Sequence, residues 1–284
     1  MVACIGLASG IGAGNPGCAK GPLELQKRLD LDWRGLILSK EHHQEKMEAI
    51  ASLNHSLAEL SYSLTLEEPF FLSIVGDHSC GVGTWSGSAA AIREQGDLGL
   101  IWIDAHLDAH TSQTSDSGNI HGMPIAALLG YGDKRLTTIG DPFPKVRPKN
   151  LAMIGIRSFE PAELRFLNQL NVRIYMMDEI ERRGLAVVLH EAIEIVSKNT
   201  AGYGVSFDLD SLDPAAAPAV GTPVDKGLNP EELLDALHLF ESHPPLAFEL
   251  AEYNPLLDRN DKSFYIIEQL LQSLARPLCK TIFR

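Results

Sequence analysis

Three short clusters of carboxylates and imidazoles each follow an apolar run in this chain, and their residue types suit divalent metal. Gly76-Asp77-His78-Ser79 follows Phe70 to Val75, Asp104-Ala105-His106-Leu107-Asp108 follows Leu98 to Ile103, and Asp208-Leu209-Asp210 follows Tyr203 to Phe207. Asp104, His106 and Asp108 recur at every second residue, so an extended backbone would aim all three side chains to one side. Asp208 and Asp210 share that spacing. With His78 they make two imidazoles and four carboxylates, a hard, oxygen-rich donor set that suits Mn²⁺ and also accommodates Co²⁺ or another first-row divalent ion. Two such ions would neutralise the four aspartates, which would otherwise repel and raise one another's pKa. Two ions roughly 3.5–4 Å apart would also acidify a water into a nucleophile near neutral pH. Asp77 and Asp213 read more simply as caps of the turns that follow them.

A fourth segment carries a different kind of group. Gly118-Asn119-Ile120-His121-Gly122-Met123-Pro124 sets a histidine between small residues, just ahead of a proline suited to the first turn of a helix. An unobstructed imidazole there could move protons, because its ordinary pKa is close to working pH.

The elements that must position these groups are legible as apolar runs alternating with helical patterns. Strands are expected at Val2 to Leu7, Gly35 to Leu38, Phe70 to Val75, Leu98 to Ile103, Leu151 to Ile156, Val172 to Tyr175, Tyr203 to Phe207 and Leu246 to Leu250. Helices are expected at Leu23 to Leu29, Glu41 to Ser63, Gly83 to Glu94, Pro124 to Leu129, Pro161 to Leu170, Leu185 to Ser197, Pro230 to Glu241 and Ser263 to Leu274. The helix from Glu41 is acidic and polar and reads as a solvated face. Continuous rather than alternating apolar strands point to a sheet covered on both sides, hence an α/β fold with a mostly parallel sheet. In such sheets ligand sites gather at the carboxyl ends of the strands, where all three clusters fall. No linker, composition shift or repeat divides the chain, so a single domain over residues 1–284 is expected.

Bulk composition narrows the partners. With 24 Lys and Arg against 37 Asp and Glu the net charge is −13, which argues against nucleic-acid binding. No apolar run is long enough to span a membrane and no signal-peptide pattern opens the chain, so a cytoplasmic location is expected. Cys4, Cys18, Cys80 and Cys279 are scattered without a CxxC pair, which reads as buried free thiols. Cys80, two residues after His78, could be a further ligand, although its spacing does not demand it.

Taken together, the segments Asp104 to Asp108, Ser117 to Pro124, Ser206 to Pro214 and Gly221-Thr222-Pro223 resemble the arginase branch of the ureohydrolase family. Glu252-Tyr253-Asn254-Pro255, Gly155-Ile156-Arg157 and Gly21-Pro22 fit the same pattern, so the likeness runs from about residue 20 to residue 275. The resemblance implies a three-layer α/β/α fold with an eight-stranded sheet and a binuclear Mn²⁺ centre. One ion would be held by His78, Asp104, Asp108 and Asp208, the other by Asp104, His106, Asp208 and Asp210. The implied reaction is attack of a metal-bridging hydroxide on the guanidinium of L-arginine, giving L-ornithine and urea. Asp108 would orient the hydroxide and pass its proton to the leaving amine, His121 would shuttle protons, and Glu252 would hold the guanidinium. Ser115, Ser117 and His110 would meet the α-carboxylate, Glu160 and Glu163 the α-amino group, and Thr222 would lie near the guanidinium. A homo-oligomer, trimer or hexamer, is also implied.

Three positions depart from the family pattern. His110 stands where arginases usually have asparagine, Glu160 replaces the usual aspartate, and Val75 replaces the first glycine of Gly-Gly-Asp-His. The first two open an alternative: a sister hydrolase of agmatine, guanidinobutyrate or formiminoglutamate.

Overall fold

The computed structural model describes residues 1–39 and 45–279, with side chains through Ala275. Eight strands form one sheet: β1 (Ala3–Ala8), β2 (Asp32–Leu38), β3 (Phe71–Val75), β4 (Leu98–Ile103), β5 (Val146–Ile156), β6 (Arg173–Met176), β7 (Gly202–Asp208) and β8 (Ala247–Ala251). Their order is β2-β1-β3-β8-β7-β4-β5-β6, and every pair is parallel. The helices are α1 (Gly21–Arg28), α2 (Lys46–Glu67), α3 (Gly81–Ile92), α4 (Pro124–Leu128), α5 (Lys134–Thr137), α6 (Pro161–Gln169), α7 (Met177–Arg183), α8 (Leu185–Ser197), α9 (Pro230–Ala236) and α10 (Lys262–Cys279).

Successive strand residues point to opposite faces, and both faces are apolar. Ile101, Ile103, Val205, Phe207, Phe248 and Leu250 join Leu25 of α1, Val188 of α8, Leu233 of α9 and Ile267 of α10 in one core. Leu100, Trp102, Val75, Ala247 and Ala251 join Leu57 of α2, Trp85 of α3, Ile125 of α4 and Leu167 of α6 in the other. Full burial of a residue such as Phe207 or Leu250 contributes roughly 1.5–3 kcal/mol, which explains why the sheet's central strands tolerate so few polar side chains.

The helix expected from Glu41 is solvated on one face only. Its residues 41–44 lie outside the described residues, but from Lys46 onward α2 buries Leu53, Leu57, Ala58 and Leu64 against α3 and the sheet. Gly87 makes the approach possible, because a Cβ there would sit 2.2 Å from the Ala58 carbonyl oxygen. Among the described residues no helix is long and apolar enough to cross a membrane.

Strand order decides where the site forms. β3 and β4 are consecutive in sequence, yet β8 and β7 lie between them. The loops leaving β3, β8, β7 and β4 therefore emerge side by side from the middle of the sheet, at the carboxyl-end crevice where α/β folds bind ligands. They carry His78, Glu252, Asp208 and Asp104 in turn.

Candidate metal centre

The six candidate metal ligands converge over these four strands. His78 Nδ1 lies 3.1 Å from Asp104 Oδ2, 3.4 Å from Asp108 Oδ2 and 2.9 Å from Asp208 Oδ2. His106 Nδ1 lies 3.5 Å from Asp104 Oδ1 and 3.2 Å from Asp210 Oδ2. His78, Asp104 and Asp208 form one group able to hold a metal ion, and Asp104, His106 and Asp210 form another. Asp104 belongs to both, one carboxylate oxygen facing each imidazole. Asp208 contributes only to the first group.

The backbone reaches this convergence by a route that period-two spacing does not describe. Residues after Ile103 leave the strand and bend, and Asp108 sits at φ +47° rather than in an extended conformation. Asp208 instead caps a tight turn, its Oδ1 accepting from Asp210 N at 2.7 Å. Glu252 is also left-handed, at φ +65°. Strained non-glycine residues of this kind persist where surrounding contacts hold them, commonly at functional sites. Arg157 supplies some of that hold: its guanidinium donates to the carbonyls of Asp210, Ser211, Leu212 and Val224, pinning the loop that carries Asp210. Gly155, at φ +97°, lets its strand pass a Cβ position only 3.0 Å from the Asp104 carbonyl oxygen.

His78 provides the test of whether these residues suit a metal. Its Nε2 lies 2.9 Å from Ser206 Oγ, and Ser206 gives its own proton to Glu249 Oε1 at 2.7 Å. Nε2 must therefore be the donor, which leaves the Nδ1 lone pair facing three carboxylates. Nδ1 is buried without a hydrogen-bond partner. Only a cation or an extra proton makes that arrangement favourable. Two further contacts fix the ring and its neighbour: it stacks on Trp102 at 3.9 Å, and Trp102 Nε1 donates to Asp104 Oδ2.

Electrostatics in the metal-free chain follow from the same crowding. Burial pulls the His78 pKa down, but the carboxylates of Asp104, Asp108 and Asp208 facing Nδ1 more than offset it. His106 behaves alike and is pushed up to about 12, burial opposing and Asp210 and Asp104 prevailing. Burial and the charge of Asp104 raise Asp108 to about 6. Asp208 is raised by burial, Asp210 and Asp104. Asp104 moves the other way: burial raises it, yet His106 and His78 hold it well below the usual carboxylate range. The shifts thus favour protons on His78, His106, Asp108 and Asp208, four of the groups that would face a cation.

His121 lies in a short turn ahead of Pro124, the first residue of α4. Its Nδ1 meets Glu252 Oε1 at 3.1 Å, and against the pull of burial this carboxylate raises the imidazole to about 9. Glu252 also accepts from His78 N at 3.0 Å, so one buried carboxylate ties His121 to the first metal-competent group.

A cavity of about 290 Å³ opens above this floor. His106, Asp108, Asp208, Asp210, His121, His110, Ser115, Ser117, Glu160, Glu163 and Thr222 line it, as do Asp116, Asn119 and Ser158, which were not among the sequence candidates. His78, Asp104 and Glu252 lie beneath rather than on the wall. Thr222 Oγ1 donates to Asp210 Oδ2 at 2.9 Å. At the mouth, His110 Nε2 lies 2.8 Å from Glu160 Oε2 and 3.3 Å from Glu163 Oε2, while its Nδ1 meets Thr114 Oγ1 at 3.1 Å. Two of the three departures from the family pattern, His110 and Glu160, are thus contact partners. Burial and Glu160 raise Glu163 to about 8.

The remaining sequence candidates sort cleanly. Asp77 caps the turn at His78, accepting from Ser79 N and Gly12 N, and Asp213 accepts from Ala215 N and Gly227 N. Cys4, Cys18 and Cys80 are free and buried, and Cys80 packs with Trp85 and Leu57 in the core instead of joining a metal-competent group among the described residues. The side chain of Cys279 lies outside the described residues. Ser206 and Glu249 went unnoticed in the sequence, although a lone glutamate inside the apolar run of β8 was a signal.

An all-parallel sheet whose central strand ends gather imidazoles and carboxylates able to hold metal is the layout of an α/β metallohydrolase. The Arginase family model matches residues 1–276. An arginase of Bacillus caldovelox is 40% identical over 80% of this chain and 76% of its own length. One of Brevibacillus brevis is 36% identical over 95% of this chain and 96% of its own length. The crystal structure of arginase from Bacillus cereus superposes with a TM-score of 0.88 at 33% identity, covering 96% of this chain and 97% of that one. The chain belongs to the arginase family, whose enzymes hydrolyse guanidino C–N bonds of small substrates.

Proposed function

We propose that this chain hydrolyses the guanidinium group of L-arginine to L-ornithine and urea, using two divalent ions, with Mn²⁺ the best match to the donor set. One observation carries the two-ion reading: Asp104 turns separate oxygens toward His78 and His106, each of which has its own further carboxylates. His78, Asp104, Asp108 and Asp208 would hold one ion, and Asp104, His106 and Asp210 the other, with Asp208, which here groups only with His78 and Asp104, expected as a further ligand of that second ion. Bound there, the ions supply Lewis acidity that acidifies a water and polarises the substrate.

The side chains do the rest. Asp108, on the cavity wall, would orient the attacking water, accept its proton and pass it to the departing amine. His121 would bring the amine product its second proton from solvent, and Glu252, which does not line the cavity and meets His121 Nδ1 at 3.1 Å, would hold that ring rather than the guanidinium expected of it. Thr222 beside Asp210 positions the guanidinium end of the substrate, and Ser115, Ser117 and Asn119 offer donors to a carboxylate at the other end. Glu160 and Glu163 offer acceptors to an amino group.

A second reading is favoured by one specific contact. Both nitrogens of His110 are engaged by the protein, Nε2 by Glu160 and Nδ1 by Thr114, which leaves His110 no free donor for a substrate carboxylate. That favours a guanidino substrate without the carboxylate, such as agmatine. Urea release measured on arginine, agmatine and guanidinobutyrate, with formamide release measured on formiminoglutamate, after reconstitution with Mn²⁺, decides between the two. Turnover of agmatine with arginine inert would discard the first reading.

A further inference from the structure

A fully buried row of side chains crosses the sheet one step beneath the proposed metal centre. Ser73 of β3 is register partner to Glu249 of β8, Glu249 to Ser206 of β7, and Ser206 to Trp102 of β4. All four point to the α2/α3 face, since their strand neighbours Ile74, Leu250, Val205 and Ile103 point into the opposite core. Each of the four has zero exposure. Two of these residues touch His78 directly: Trp102 stacks on its ring, and Ser206 accepts from its Nε2.

Glu249 is the anomaly in the row. It is a carboxylate with no exposure, and its Oε2 has no hydrogen-bond partner. Its Oε1 accepts from Ser206 Oγ at 2.7 Å and from Trp85 Nε1 at 3.2 Å. Among the described residues no lysine or arginine pairs with it, and the one chargeable base within reach is His78, whose Nε2 is 4.0 Å away. Burying an unpaired carboxylate is strongly unfavourable, and replacing it with an apolar residue would commonly stabilise a fold. A charge kept there needs a compensating cation, and the path of hydrogen bonds leads through Ser206 and His78 to the proposed ions.

We infer that Glu249 is a positioning residue for the metal centre: through Ser206 it orients His78, holds its proton on Nε2, and strengthens Nδ1 as a ligand. The serine makes this a longer version of the carboxylate–histidine–metal arrangement in which the distal ring N–H is anchored by an acceptor. It also divides the two ions, because His106 has no such support among the described residues, where its ring contacts are Asp104 and Asp210. The ion at His78 should therefore be the tighter of the two, and the only one that depends on Glu249. The inference rests on the two-ion reading above.

The test compares the wild-type chain with Glu249→Gln, Glu249→Asp and Ser206→Ala, using calorimetric Mn²⁺ titration, the exchange-coupled Mn²⁺ EPR spectrum, and thermal melting of the metal-free proteins. Glu249→Gln keeps the size but removes the charge, and should weaken one ion about 10- to 100-fold, the range for such supporting partners, while leaving the other unchanged. The coupled EPR signal should then require a higher Mn²⁺ concentration. The metal-free melting temperature should stay level or rise, whereas a merely structural glutamate would lower it and leave affinity alone. Glu249→Asp should recover part of the lost affinity. Ser206→Ala cuts the path without touching the carboxylate, so it carries the test even if the Glu249 variants fail to fold. Wild-type affinity for both ions in Ser206→Ala, or in a folded Glu249→Gln, overturns the inference. Failure of the wild-type chain itself to take two ions would instead overturn the reading of the centre.

Discussion

The floor and the mouth of the cavity are built on opposite principles. On the floor, Asp104 and His78 have no exposure and Asp208 and Asp210 have 3% and 2%, each held by several contacts from rigid strand ends. At the mouth, Ser115, Ser117 and Thr114 ride on the loop between Asp108 and Ile120, and the Glu160 side chain is 61% exposed although Glu163, one turn on, is 4%. A buried cluster of carboxylates and imidazoles tolerates little change, because removing one partner leaves an opposite charge uncompensated. An exposed polar rim can exchange residues at small cost. Chemistry is therefore written into the floor, and discrimination between substrates into the mouth, which holds two of this chain's three departures from the family pattern.

The sharpest way to break this comparison is Asp104→Ala. It removes the carboxylate shared by both groups, so both ions should be lost along with the several kcal/mol that their Lewis acidity supplies. Each 1.36 kcal/mol is tenfold in rate, so kcat should fall roughly 10⁴-fold with metal content near zero. Activity within tenfold of wild type would show that the floor is not the reacting centre. His121→Asn sits one level lower. It should cost about 10²-fold or more in kcat, as loss of a proton carrier does, with Mn²⁺ content unchanged. Lost metal in that variant would reassign His121 from proton transfer to support of the centre.

The mouth should respond differently. His110→Asn and Glu160→Asp each remove one half of a contact pair, so each alone should shift KM, and the ratio of arginine to agmatine turnover, by about tenfold with kcat little changed. Contacting residues couple, so the double variant should depart from the product of the singles. Strict additivity, read from steady-state kinetics of the four proteins, would mean that the 2.8 Å contact has no part in selection.

The floor was also the more legible region in the sequence. All eight strands were readable because central strands buried on both sides are continuous apolar runs. Errors collected where that rule weakens. β5 begins at Val146 instead of Leu151, since Arg147, Pro148 and Lys149 hide its start behind polar residues. β2, at the sheet edge, begins at Asp32 rather than Gly35. The helices α5 and α7 were missed, one being four residues long and the other following β6 without a loop. Residue types and spacing exposed the ligands, but not the bend and positive φ at Asp108 that bring them together. Which side chain lies behind which, as Glu249 behind Ser206 behind His78, depends on a strand order that brings residues 78, 206 and 249 together.

Proton occupancy offers the mildest and most general probe of the floor. His121, raised to about 9, adds stability that is full below the ordinary histidine pKa of about 6.5 and disappears as pH climbs through 9. Asp108 and Glu163, raised to about 6 and 8, have the same sign: their contribution is present below about 4 and lost as pH rises through those values. Glu252 and Asp104 are shifted down, so their contribution is lost only in acid and does not alter this interval. The metal-free protein should therefore lose melting temperature steadily from pH 6 to 9, on the order of several degrees. Divalent metal competes with those protons and binds better as they leave, so saturating Mn²⁺ should flatten or reverse the slope. A metal-free protein whose melting temperature rises over that interval would mean that the floor's carboxylates are relieved by something other than protons.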